Sequence, residues 1–152
     1  MLSPKSDLTI PDSIDHIGIV VRDVDATIKF LSSTLNLGPW KIIDFTQSES
    51  ELMVGQSVRL KVAYGKLGTT VLELLEPLEG EGVWSQFLEN GTEGLHHLAF
   101  SVMNWDGMVS EMRDTGAEMI AGGHFQGKRW CYFHTKPGGI VVELMDRFGV
   151  EI

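Results

Sequence analysis

Asp15-His16-Ile17-Gly18-Ile19-Val20-Val21-Arg22-Asp23-Val24-Asp25 is a short apolar run with a histidine near its start and a polar helix-capping signal at its end. The same plan returns as His96-His97-Leu98-Ala99-Phe100-Ser101-Val102-Met103-Asn104-Trp105-Asp106. A second pair of stretches also matches, Val71-Leu72-Glu73-Leu74-Leu75-Glu76 with Val141-Val142-Glu143-Leu144-Met145-Asp146. The histidines lie 81 positions apart (97 − 16) and the glutamates 70 (143 − 73), so the second copy has shorter loops. Self-similarity of this kind marks one supersecondary unit written twice.

Between those ends the two copies read alike. Val24, Ile28, Leu31 and Leu35 fall on one stripe of a helix, which Asn36-Leu37-Gly38-Pro39 then stops, with the glycine as its C-cap. In the second copy Trp105, Met108, Val109 and Met112 form the stripe, and Thr115-Gly116 ends it. Three strand-like stretches follow each helix: 41–45, 58–64 and 70–75 in the first copy, 118–121, 129–135 and 140–145 in the second. Val83, Trp84, Phe87 and Leu88 predict a short connecting helix, while 46–56 and the Gly-rich 122–127 read as mobile loops. The expectation is an α+β fold of two tandem βαβββ modules in a single domain, 1–152. Module one spans 14–78, the linker helix 83–90 and module two 94–147.

Composition narrows the function classes. A net charge of −9 argues against nucleic acid or an anionic membrane as partner, because both reward a basic surface. It leaves room for a small anionic substrate, which needs only a few local cations. The single cysteine, Cys131, excludes an internal disulfide and suits a reducing compartment. Met1–Ser13 has no apolar core of signal-peptide length, so a cytoplasmic location is expected.

Side chains alternate faces along a strand. Each copy therefore sets one histidine early and one glutamate late on strongly apolar strands, where a carboxylate is costly unless paired or metal-bound. A lone histidine in such a strand is ordinarily a hydrogen-bonded core residue, and a lone glutamate ordinarily lies on a solvated face. Two of each, at matched positions, are a different matter. A pseudo-two-fold axis would bring His16, Glu73, His97 and Glu143 together as an N₂O₂ set for Ni²⁺, Co²⁺ or Zn²⁺. An octahedral ion would keep two positions for substrate oxygens. By parity, His96 takes a packing or supporting role, and Glu76 and Asp146 are solvated strand ends on the opposite face.

Asp15–Asp25 (DHIGIVVRDVD), 73–78 (ELLEPL), 94–100 (GLHHLAF) and 139–144 (GIVVEL) resemble the vicinal oxygen chelate superfamily of glyoxalase I and methylmalonyl-CoA epimerase, across about residues 14–147. The resemblance implies a curved mixed sheet around one divalent metal ion (Ni, Co, Zn or Mn) bound by His16, Glu73, His97 and Glu143. It further implies a homodimer, and metal-assisted abstraction of a proton α to a carbonyl, with Glu143 as base and Glu73 as its symmetry mate. The substrate would be an α-oxo thiol adduct or an acyl-CoA thioester, with Lys128 and Arg129 as contacts for an anionic carrier. Two departures matter within the superfamily. The epimerases usually carry Gln at the position of Glu73, whereas His/Glu/His/Glu is the set of bacterial glyoxalase I. The epimerase's second base, a glutamate on the third strand of module one, has no acidic counterpart in 58–64. The alternatives are a non-catalytic small-molecule-binding or resistance protein, an extradiol-type dioxygenase, and an interaction module whose quartet is a hydrogen-bonded seam. Glu73 disfavours the dioxygenase, because a fourth protein ligand takes a position needed for catechol and O₂. Whether one chain or two supplies the ligands stays open at this level.

Overall fold

The computed structural model describes residues 14–147, so the reading of Met1–Ser13 lies outside the described residues. Within them the first copy forms β1 (His16–Val20), α1 (Val24–Leu35), β2 (Trp40–Gln47), β3 (Leu52–Val54), β4 (Val58–Leu67) and β5 (Thr70–Glu79). The connecting helix α2 (Val83–Glu89) leads to β6 (Gly94–Val102), α3 (Trp105–Asp114), β7 (Glu118–Phe125), β8 (Lys128–His134) and β9 (Val141–Asp146). None of these helices is long and apolar enough to cross a membrane.

All nine strands join one sheet in the order β2-β4-β5-β1-β6-β9-β8-β7-β3. Apart from β3, which crosses from the first copy to pair with β7 at the far edge, the order is symmetric about the β1–β6 pair. In each half the first strand pairs parallel with the last, β1 with β5 and β6 with β9, and the two remaining strands follow antiparallel. The halves meet where β1 and β6 pair antiparallel. One chain therefore closes the junction between its own two modules.

Both faces of the sheet are covered. On the outer face Val21, Val24, Ala63 and Leu74 pack under α1 with Ile28, Leu31 and Trp40. Val102, Trp105, Val109, Cys131, Phe133 and Leu144 pack under α3. The inner, concave face carries Leu60, Val62, Leu75, Trp130 and Tyr132, and Trp84 of α2 packs against them from one end. Alternation along β4 and β9 divides the two sets, so Glu143 shares its face with Met145 while Leu144 turns outward. The curl is fastened where β2 meets β7. Gln47 is buried, accepts from Trp130 Nε1 at 3.0 Å and donates to the His124 carbonyl at 3.1 Å, and Phe45 stacks on Phe125 at 4.8 Å.

Several local expectations are corrected. Asn36, not Gly38, takes the left-handed cap of α1 at φ 54°, because an asparagine tolerates that conformation one residue after the stripe ends. The helix starts at an Asp23 side chain that accepts from Ala26 N at 2.8 Å. The stretch 46–56 is not a loop throughout: it completes β2, forms a short 3₁₀ turn at Glu49–Glu51 and contributes β3, which pairs with β7. The Gly-rich 122–127 mostly extends β7, leaving Gln126 and Gly127 to turn. Its glycines serve close packing, since a Cβ at Gly123 would sit 2.6 Å from the Glu51 carbonyl oxygen. Glu76 and Asp146 do lie off the inner face, but neither is a solvated end. Glu76 accepts from the backbone N–H of Val24 at 2.8 Å, and Asp146 is buried and paired with Arg129 at 2.8 Å.

Candidate metal centre

The β1–β6 junction sets the geometry of the site. Gly18 on β1 stands opposite His97 on β6 and beside Glu73 on β5. Ala99 on β6 stands opposite His16 and beside Glu143 on β9. Each histidine thus lies across from the small residue that follows the other histidine by two positions. The glutamates flank those small residues from the outer strands.

All four side chains point inward and are 1–6 % exposed. One ligand atom from each lies within 4.8 Å of every other. His16 Nε2 is 3.1 Å from Glu143 Oε2 and 3.3 Å from Glu73 Oε2. His97 Nε2 is 3.0 Å from Glu143 Oε2 and 3.4 Å from Glu73 Oε1, and the two Nε2 atoms are 3.3 Å apart. Donor atoms at metal–ligand distances of about 2.1 Å are separated by about 3.0 Å at octahedral right angles and about 3.4 Å in a tetrahedron. The spacing and the N₂O₂ chemistry fit a divalent ion. All four donors come from one chain.

The other ring nitrogens are held from behind. His16 Nδ1–H donates to Asp15 at 3.0 Å, and Asp15 in turn accepts from Ser101 Oγ at 3.0 Å. His97 Nδ1 meets His96 Nδ1 at 3.0 Å. Burial and the neighbouring His97 push His96 down to about 3, so its ring is neutral and accepts from His97. The residue before each histidine therefore fixes its ring, leaving Nε2 to face the centre. That agrees with the supporting role expected of His96. Asp15 is the matching residue in the first module, marked in the sequence by its place directly before His16.

Electrostatics tie the four together when no ion is bound. Burial pulls His16 downward, but Asp15, Glu143 and Glu73 outweigh it and raise the imidazole to about 12. His97 is raised in the same way by Glu143 and Glu73 against its burial. Burial pushes Glu73 up, and the two imidazoles overcome it, holding the carboxyl well below the usual carboxylate range.

Three further residues have no counterpart in the sequence reading. A Cβ at Gly18 would fall inside the His97 ring, so only glycine leaves that imidazole its place. Gly18→Ala is expected to lower stability by about 1–3 kcal/mol through overpacking and to reduce bound metal well below one per chain. Denaturant titration with elemental analysis checks this, and a fully loaded variant of normal stability would refute it. The chain's two tyrosines are the others: Tyr64 pairs across the ladder with Glu73, and Tyr132 with Glu143. Tyr64 stands edge-on to His16 at 6.0 Å, while Tyr132 lies against His97 at 4.6 Å.

The two glutamates of the quartet form part of the wall of a cavity of about 890 Å³, with Tyr64, Tyr132, Phe45, Leu60, Val62, Trp84, Phe125 and Trp130 around them. Lys41, Lys128 and Arg147 are exposed along its lining. Arg129 also borders it, but its guanidinium is bonded to Asp106 and Asp146 and lies 4.5 Å over the Trp105 ring. It is a structural cation, and Lys128 is the freer of the two expected substrate contacts.

Residues 15–135 match the model of the glyoxalase/bleomycin resistance protein/dioxygenase superfamily. The uncharacterized protein YqjC of Bacillus subtilis (strain 168) is 28 % identical over 140 residues, 90 % of this chain and 93 % of that one. Human mitochondrial methylmalonyl-CoA epimerase is 28 % identical over 138 residues, 86 % of this chain and 72 % of the enzyme. A variant of Streptomyces coelicolor methylmalonyl-CoA epimerase, solved in complex with 2-nitronate-propionyl-CoA, superposes with a TM-score of 0.67 at 28 % identity, covering 94 % of this chain and 99 % of that one. With two βαβββ modules joined through β1 and β6, and a family match across most of its length, the chain belongs to the glyoxalase/bleomycin resistance protein/dioxygenase superfamily.

Proposed function

We propose that the protein is a metal-dependent isomerase or lyase that abstracts a proton α to the carbonyl of a small acyl thioester or α-oxo thiol adduct. The observation that carries this reading is the convergence of His16, Glu73, His97 and Glu143, of which Glu73 and Glu143 line a cavity large enough for such a substrate. A divalent ion held there supplies a Lewis acid for the carbonyl and for the charge that develops on its oxygen. His16 and His97 hold their rings through Asp15 and His96, and Leu60, Val62, Leu75 and Trp84 share the cavity wall with Glu73 and Glu143. Glu143 takes the proton through a carboxylate oxygen and returns it to the neighbouring carbon or to the same one. Lys41, Lys128 and Arg147 complement an anionic carrier in a chain that is otherwise strongly acidic.

Two substrate classes fit. The epimerase relatives support an acyl-CoA thioester. A hemithioacetal is favoured by a separate observation: the β4 wall presents Leu60, Val62 and Tyr64 to the cavity, so that strand offers no second carboxylate for a two-base racemisation. Purified protein reconstituted with Ni²⁺, Co²⁺, Zn²⁺ or Mn²⁺ is to be incubated in D₂O with methylmalonyl-CoA and with the methylglyoxal–thiol hemithioacetal. Exchange at the α-carbon of one of them is expected with one metal at least. No exchange with either substrate under any of the four metals would reject this function and favour a binding protein.

A further inference from the structure

Beside the large cavity lies a second, smaller one of about 200 Å³. Among the described residues, Trp84 and Trp130 alone belong to the walls of both. The rest of its apolar lining comes from Leu52, Val54, Val58, Val83, Ile120 and Ala121. Of its polar residues Gln47 is buried, while Gln56, Glu81 and Gln86 are exposed. The two shared indoles are themselves buried and held in place. Trp130 Nε1 donates to the Gln47 amide oxygen at 3.0 Å, and Trp84 Nε1 donates to the Tyr132 hydroxyl at 3.3 Å. Their rings are 6.0 Å apart and lie 5.2 Å (Trp130) and 5.6 Å (Trp84) from the Tyr132 ring. Tyr132 in turn lies against His97 at 4.6 Å, so the indole pair stands one ring away from the metal centre.

We propose that Trp84 and Trp130 form a fixed partition that limits the length of the apolar group a ligand can carry beside the metal centre, and that the second cavity is the space this partition withholds. The inference rests on the metal centre of the function proposed above and deepens it, by naming what selects a short acyl group. A chain that leaves the centre past Tyr132 meets the indoles within a few methylenes. Either indole must break its hydrogen bond and leave its packed neighbours to make way, so the chain meets a wall and not a yielding surface. A smaller side chain at either position joins the two cavities, and apolar space then replaces the stop.

Straight-chain hydroxamates provide the test, from acetohydroxamate through butyro- and hexano- to octanohydroxamate, with binding read from the visible absorption of the Co²⁺-loaded protein. The hydroxamate chelates the ion through two oxygens, and its tail enters the cavity. Each methylene buried from water tightens binding about fourfold. In the wild type the affinity is expected to rise over the first members and to fall by about tenfold or more at octanohydroxamate, where the tail strikes the partition. Trp84→Leu and Trp130→Leu, on different elements, are each expected to raise the ratio of octano- to acetohydroxamate affinity about tenfold. Ile120→Phe narrows the second cavity without lining the first. It should leave the wild-type series unchanged and cancel the gain when added to either tryptophan variant. A wild-type affinity that climbs through the whole series overturns the inference, whether or not the variants fold. So does a length limit unchanged in both tryptophan variants, or a gain that Ile120→Phe does not cancel, and α-deuterium exchange by the wild type then leaves the proposed function standing. A length limit that moves as expected in a protein without α-deuterium exchange would reject that function and keep the partition. A wild-type protein that binds no Co²⁺ would overturn both.

Discussion

Glu143→Gln is expected to lower turnover and α-deuterium exchange by about 10²–10⁴-fold, the range that a positioned general base contributes. Bound metal should fall far less, because the amide keeps a carbonyl oxygen at the place of Oε2, and His16, His97 and Glu73 still supply three donors. The matched change Glu73→Gln should act in the opposite sense. Glu73 contacts both imidazoles and is held far toward its ionised form by them, so its neutral amide weakens the centre more than the chemistry. Turnover at saturating metal should then stay within about tenfold of wild type while metal affinity drops. Elemental analysis beside exchange rates for both variants makes the comparison. Full exchange in Glu143→Gln, with exchange lost in Glu73→Gln at equal metal content, would reverse the two roles.

The four-residue cluster is legible in the repeat itself, because matched polar residues on apolar strands leave a signal that neither copy carries alone. The repeat implies a pseudo-two-fold axis but not which strands meet on it; the antiparallel pairing of β1 with β6 belongs to the folded sheet. What escaped the sequence reading depends on neighbours across the sheet. Gly18 looks like a breaker within β1, and only the His97 ring facing it explains the residue. Tyr64 and Tyr132 are ordinary strand aromatics until the register sets each beside a glutamate. The stretches 46–56 and 122–127 have loop composition, yet Gly123, where a Cβ would strike the Glu51 carbonyl, lets that segment approach and Leu52–Val54 form an edge strand. Asp146 lies on the face that its parity predicts, but it is buried there against Arg129, and an ion pair formed across 17 positions has no local sequence signature.

His97→Ala is expected to abolish stoichiometric metal binding, with affinity falling well beyond the 10–100-fold that a lost supporting partner costs. His97 is almost wholly buried and its Nε2 faces three other members of the quartet, so no neighbour can replace the donor. The change also removes the cation that stands between Glu73 and Glu143. Breaking a buried ion pair from one side costs about 3–5 kcal/mol, so the variant should be less stable even without metal. The same charges give the wild type two opposite pH responses. In the ion-free protein, the raised His16 contributes stability that is fully present below its unfolded value of 6.5 and is lost as pH rises toward about 12. The depressed Glu73 contributes stability above its unfolded value of 4.5 and loses it as pH falls toward its folded value. Both contributions are complete between 4.5 and 6.5, and above that window only the imidazole part declines. An ion must displace the imidazole protons, so its affinity, and the stability it adds, rise with pH over the same range. Thermal melting from pH 6 to 9 should therefore show the chelated protein falling and the metal-saturated protein holding or rising. Calorimetric titration at pH 7.5 in two buffers of different ionisation enthalpy should count more than one proton released per ion. Parallel melting curves with no proton release would mean that metal does not replace the protons shared by His16 and His97, and the centre would have to be sought elsewhere.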